Sequence, residues 1–405
     1  MIRSGQSVTV LALMIVAVGA GAQTVPPVRP LGPVIRVSAA NLLESVSSVR
    51  PLPGGRLIIS DVAHRRVVLL DSTLTKSRTI VDSSSASGGM FGLQLAGIIP
   101  YKGDSTLFVD PQSLSVLVID GSGKIARVMA VPRSQDAPYL VGGPLGTPRF
   151  DRLGRLIYRG YARRLAPPPV STGTTTFSLP LQPDSAPVVR TNLETRKQDT
   201  LGFVKVSRVD IKVSRRDDGG LAIATTLNPM QVLDDWAVFA DGTLALVRGR
   251  DYHVDWVAPD GTRSSTPNVP FDWKRLTEEE RGAFLDSARA AINKRIEAAR
   301  EATGGSATRS QPPAISLVPV GELPDYRPAF EPGAARVDSE DRLWIRTSKV
   351  INNGAVYDVL SRAGELIDRV VVPQFRTIIG FGEGGIVYMG VLDGAGARLE
   401  EARSR

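Results

Sequence analysis

The chain has 405 residues, 42% of them hydrophobic and 22% charged, with a formal net charge of +8. That balance excludes a disordered or fibrous chain and supplies enough apolar material for a large core. The absence of cysteine excludes thiol catalysis, disulfide scaffolding and cysteine-based zinc sites. Lys and Arg are scattered in pairs such as Arg65-Arg66, Arg163-Arg164 and Arg215-Arg216, with no dense basic tract. Nucleic acid is therefore not the expected partner.

In chain order, the first element is a targeting segment. Arg3 supplies a positive start, Val8 to Val18 is apolar, and Ala20-Gly21-Ala22 reads as a small-residue cleavage site. Residues 1–22 are expected to be a signal peptide that leaves Gln23 as the new N-terminus. The apolar run is too short for a confident membrane span, so no transmembrane segment is expected after cleavage. The predicted location is exported, periplasmic or extracellular. Residues 23–33 are Pro-rich and read as an extended linker that need not join the core.

The most informative pattern follows. Gly-Gly-Arg-Leu-Ile-Ile-Ser-Asp61 and Arg-Val-Val-Leu-Leu-Asp71 form one unit of strand, turn and strand. Asp-Ser-Thr-Leu-Phe-Val-Asp110 and Val-Leu-Val-Ile-Asp120 repeat it 49 residues later. Short strands at a period of roughly 40–50 residues point to the blades of a β-propeller. Blade one is predicted over about 44–92 and blade two over about 93–141. Blade three, about 142–210, carries Asp151 to Arg159 and a proline- and threonine-rich loop from Ala166 to Pro187.

Blade four is predicted over about 211–320. Its strand, Asp-Gly turn and strand run through Trp236, Asp241-Gly242 and Val247, and the next strand runs from Tyr252 to Val257. The pattern then changes. Thr277-Glu-Glu-Glu280 has capping-box spacing, and Phe284, Ala288, Ile292 and Ile296 form one apolar stripe. A helix inserted on the ring is predicted over 277–302, ended by Gly304-Gly305. Blade five is placed at about 321–373. Blade six, about 374–405, is short by one strand, which the segment near 34–43 could supply to close the ring. The count is six, with five or seven as alternatives.

The segments His64 to Asp71, Tyr252 to Gly261 and Val356 to Gly364 resemble NHL-type six-bladed propellers. The mature chain is similar to an uncharacterised group of exported bacterial propellers, in which an Asp-Gly turn, a Trp-bearing strand and a helical insert follow one another. Here those are Asp241-Gly242, Trp256 and 277–302. The resemblance covers most of 34–400. It implies an all-β, six-bladed propeller of four-stranded blades with one helical insertion. Relatives of that fold include binding modules, lyases and lactonase-like hydrolases, and none of their catalytic motifs carries over residue by residue.

Candidate site residues come from strand ends. Asp61 and Asp110 close the second strands of blades one and two, and Arg159, Arg248 and Arg346 sit near the equivalent place in blades three to five. Together they would ring one face near the axial channel and could orient a charged ligand. Tyr158, Tyr161 and Tyr252 lie beside them. The two histidines, His64 and His253, fall in opposed blades, too far apart to share a metal. There is no calcium loop, catalytic triad or phosphate loop, so no catalytic residue, metal or cofactor is assigned. The leading expectation is a monomeric, non-enzymatic binding module that presents a propeller face to a protein, peptide or glycan. The alternative is a lactonase-like hydrolase or lyase that uses the axial channel.

Overall fold

The structure, a computed structural model, describes residues 25–84, 97–162, 176–178, 183–215, 221–302 and 314–405. The expected signal peptide lies outside the described residues, as do parts of the loop from Ala166 to Pro187.

Short β-branched runs bounded by turn residues favour strands, and here they form six successive antiparallel meanders. The first strands of these sheets are Ser48–Pro51, Gly97–Pro100, Arg149–Phe150, Asp235–Val238, Phe330–Val337 and Arg376–Gly382. The second strands are Leu57–Asp61, Thr106–Asp110, Leu156–Arg159, Leu244–Arg248, Leu343–Ile351 and Ile386–Asp393. Hydrophobic packing passes from each sheet to the next. Ile58 and Phe108 join the first two sheets, Leu156 and Leu246 lie in a cluster spanning sheets two to four, and Phe239 and Ile345 join four and five. Trp344 and Met389 join five and six, and Tyr388 and Leu57 bring six back to one. The fold is an all-β propeller with one helix.

Turn chemistry repeats with the strands. Asp151 accepts hydrogen bonds from the Leu153 and Arg155 amides and from Arg155 Nε, at 3.0, 2.8 and 2.7 Å. Asp338 does the same with Glu340 and Arg342, and also accepts from Trp344 Nε1 at 2.8 Å. These Asp residues hold the hairpin between first and second strands by satisfying its free amides.

The last sheet takes its fourth strand from Val34–Val37, which pairs antiparallel with Gly396–Arg403. The Pro-rich segment before it is not a free linker. Val28–Pro30 pairs in parallel with Leu366–Val372, and Arg29 forms an ion pair with Asp368 at 2.6 Å. The outer edge of the fifth sheet offers unpaired backbone groups, and this segment covers them.

The fourth blade also departs from expectation. Asp210–Arg215, which begins one residue before its predicted span, and Leu221–Leu227, which lies within it, do not belong to the sheet of Asp235–Val238. They pair with Thr176–Ser178 and Ala314–Leu317 in a seventh sheet. Three insertions contribute to it: one inside the third sheet, one between sheets three and four, and one after sheet four. The helix α1 (Glu278–Ala302) belongs to the last of these. Its capping box is formed, with Glu280 N donating to Thr277 Oγ1 at 3.1 Å and Thr277 N to Glu280 at 3.0 Å. Leu285 is buried against Met230 and Leu323. Farther along, Ile292 and Ile296 are half-exposed, so α1 is anchored by its first turns. Among the described residues no helix is long and apolar enough to cross a membrane.

Candidate functional site

The predicted ring of strand-end charges is not one ring. Asp61, Asp110 and Arg248 are the fifth residues of their second strands, whereas Arg159 and Arg346 are the fourth. Side chains alternate along a strand, so this one-residue offset sends the two groups to opposite faces of their sheets.

Most of these residues are already engaged. Asp61 is fully buried and accepts from Ser45 N at 2.9 Å, His64 Nδ1 at 2.9 Å and Arg66 Nε at 3.0 Å. Burial opposes its ionisation, but the hydrogen bonds from His64, Arg66, Ser45 and Glu44 outweigh that and lower its pKa. Asp110 is buried and caps its own turn through the Gln112 and Ser113 amides. Arg248 is held by Asp255 at 2.7 Å and Asp234 at 2.8 Å. Tyr252 is buried and donates to Asp358 at 3.0 Å, and Arg369 holds the other oxygen of that carboxylate at 2.9 Å. His253 lies between Asp251 and Asp255. Arg346 is exposed and lines neither of the two cavities described below.

Of this set, Arg159 lines a cavity. A space of about 340 Å³ is walled by Tyr139, Arg159, Tyr161, Lys205, Asp235 and Trp236, among others. The Arg159 guanidinium sits 4.8 Å from the centre of the Tyr139 ring, with Tyr161 beside that ring at 6.4 Å. Its Nε is buried without a hydrogen-bond partner. Desolvation lowers its pKa against the opposing pull of Tyr139 and Asp235. Asp235 is 2% exposed and accepts from the Ala335 amide at 2.7 Å. Burial raises its pKa to about 6, against hydrogen bonds from Ala335, Trp236 and Gly333. The cavity lies at the roots of the insertions, since Ala162 and Pro183 flank the first and Ser207 and Leu233 flank the second.

A second cavity, about 890 Å³, runs between the first strands. It is the axial channel, and Arg50, Arg149 and Arg336 line it. The segment from Leu140 to Thr147 lies across the channel. Gly97 admits it, because a Cβ there would stand 2.6 Å from the Val141 backbone. Gly146, at a φ of +88°, lies so close to Trp236 that a Cβ would sit 2.3 Å from the indole ring. Trp236 Nε1 donates to the Leu145 carbonyl at 3.1 Å. Pro144 lines both cavities.

The channel arginines escaped the sequence reading, yet they leave a trace in it. Each stands seven residues before the first residue of its second strand: Leu57, Leu156 and Leu343. Among the described residues, no three His, Cys, Asp or Glu side chains group to hold a metal ion.

No family model matches the chain, and no curated protein matches it. Solved structures do resemble it. A gluconolactonase from Xanthomonas campestris has 11% identity and a TM-score of 0.43, over 92% of this chain and 99% of its own. Regucalcin, a calcium-binding protein from Agrobacterium tumefaciens, has 13% identity and a TM-score of 0.41, over 93% and 97%. Virginiamycin B lyase from Staphylococcus aureus has 9% identity and a TM-score of 0.38, over 92% and 87%. With TM-scores below 0.5, these likenesses assign this chain no activity, ligand or partner.

Proposed function

We propose that the chain is an exported, non-enzymatic binding module. In this reading it is a six-bladed ring of NHL-like repeats that presents its insertion-bearing face to a protein, peptide or glycan. The observation that carries the reading is the pocket at the roots of the insertions. There Arg159 keeps a buried, unpartnered Nε beside two tyrosines, a combination suited to a carboxylate or hydroxyl on a partly flat ligand. The sheets hold the walls, and the roots of the insertions at Ala162, Pro183, Ser207 and Leu233 border the pocket.

The test is a thermal-shift and native mass spectrometry screen of mature protein against peptides and glycans, with and without chelator. A ligand that raises the melting temperature, and loses at least tenfold in affinity in Arg159→Met, supports the proposal. A chelator-sensitive melting temperature or turnover of a small ester or lactone would instead favour a hydrolase or lyase that uses the channel.

A further inference from the structure

Arg50, Arg149 and Arg336 share more than a cavity. Arg50 faces Ile58, Arg149 faces Ile157 and Arg336 faces Trp344, each the second residue of a second strand. The same register position in the intervening sheets holds Ile99, Ala237 and Phe381, facing Leu107, Ala245 and Val387. At this register arginine therefore alternates with an apolar residue from sheet to sheet; Ala237 and Phe381 line the channel with the arginines, whereas Ile99 is buried in the core between sheets. Three guanidinium groups enter one cavity from alternate sheets.

Among the described residues, none of the three forms an ion pair. Their hydrogen bonds go to neutral oxygens. Arg50 donates to the Gly103 carbonyl at 2.8 Å, Arg149 to the Val238 carbonyl at 3.3 Å and Arg336 to Thr147 Oγ1 at 3.3 Å. Arg50 Nε is buried and has no partner. Three carboxylates also line the cavity. Asp338 is committed to its turn, and Asp104 and Glu383 are exposed. Desolvation lowers the pKa of all three arginines; Asp104 opposes it for Arg50, Asp341 and Asp241 for Arg149, and Tyr357 and Asp235 for Arg336. Guanidinium remains charged under such conditions. Like charges withdrawn from water without a carboxylate in contact cost free energy, and such costs collect where a ligand supplies the missing charge.

From this placement we infer that the axial channel is a binding site for a small, multiply charged oxyanion bearing two or three carboxylate or phosphoryl groups. The guanidinium fork matches both acceptors in planar, two-point contact. A cavity of about 890 Å³ is in the range that takes small-molecule ligands. Each fork comes from an alternate sheet, so each can take its own acceptor group. The site is independent of the Arg159 pocket and stands or falls without it.

Calorimetric titration of the full mature chain tests this, with citrate, pyrophosphate, acetate and a neutral hexose as probes. Citrate or pyrophosphate should bind one-to-one and at least about 100-fold more tightly than acetate, and the hexose should not bind. Whichever of the two binds more tightly identifies the acceptor class. Arg149→Gln and Arg336→Gln should each weaken that binding at least tenfold, while Arg295→Gln on exposed α1 leaves it unchanged. Without ligand, the channel variants should melt at or above the wild-type temperature, because each removes an uncompensated charge. Should a Gln variant not fold, Arg149→Lys keeps the charge but loses the fork, and weaker binding is still expected. Failure of wild-type protein to bind either polyanion at millimolar concentration overturns the inference. So does wild-type affinity in both Gln variants.

Discussion

Replacing Asp235 with asparagine should remove a pH dependence of stability between about pH 4 and pH 6. Asp235 is 2% exposed at the start of an inner strand. Burial raises its pKa from the ordinary 3.8 to about 6. Across that window the folded chain holds a proton that the unfolded chain has released. Stability contributed by this residue is therefore present below about pH 4 and falls as pH rises, with the loss complete above about pH 6. A shift of roughly two units, at about 1.4 kcal/mol each, makes the swing about 3 kcal/mol. Asp235→Asn stays neutral throughout and retains an oxygen to accept from the Ala335 amide. Urea unfolding at half-unit steps from pH 4 to pH 7 reads the effect as the difference between the two proteins. Other titrating groups occur in both proteins and cancel. The variant should gain about 3 kcal/mol on the wild type between pH 4 and pH 7, measured from the difference at pH 4. A difference that stays flat with pH, or that moves toward the wild type, refutes the reasoning.

Two further substitutions test the packing that holds the cavities. Arg369→Met leaves the buried Asp358 carboxylate, held by Arg369 at 2.9 Å, with only the Tyr252 hydroxyl as a side-chain donor. A loss of about 3–5 kcal/mol is expected in urea unfolding, and Asp358→Asn in the same chain should recover part of it. Gly97→Ala places a methyl group 2.6 Å from the Val141 backbone, so the segment across the channel must shift. A cost of about 1–3 kcal/mol is expected. The larger Gly97→Val should lower the melting temperature further, and an unchanged melting temperature would contradict the close approach.

What was legible in the sequence is what the chain repeats locally. The strand runs ending at Asp61 and Asp110, the Asp-Gly turn at Asp241-Gly242 and the capping box at Thr277 all act over a few residues, so short-range chemistry declares them. The seventh sheet was not legible, because its strands come from separate insertions far apart in the chain: the Thr226 and Ser316 hydroxyls, 90 residues apart, meet at 3.1 Å across it. The strand-end ring failed for a subtler reason. Arg159 and Arg346 look equivalent to Arg248 when counted from the turn, but pairing register decides facing, and one residue reverses it.

The channel arginines sit between these cases. Arg149 follows Arg50 by 99 residues, close to twice the 49-residue period, so a search at every second repeat would have paired them. Arg336 falls outside that count because the insertions before it shift the numbering without shifting the register. A closed ring converts this hidden periodicity into proximity. Each sheet packs only on its neighbours, yet every first strand borders the same channel. Positions too far apart in sequence to be read together therefore meet at one level. The insertions do not disturb that level, because they leave the sheets at the end opposite the hairpins that join first and second strands, where Arg159 and Asp235 stand. The fold thus separates two tasks: the roots of the insertions supply the chemistry of one end, while the register of the first strands sets the chemistry of the channel.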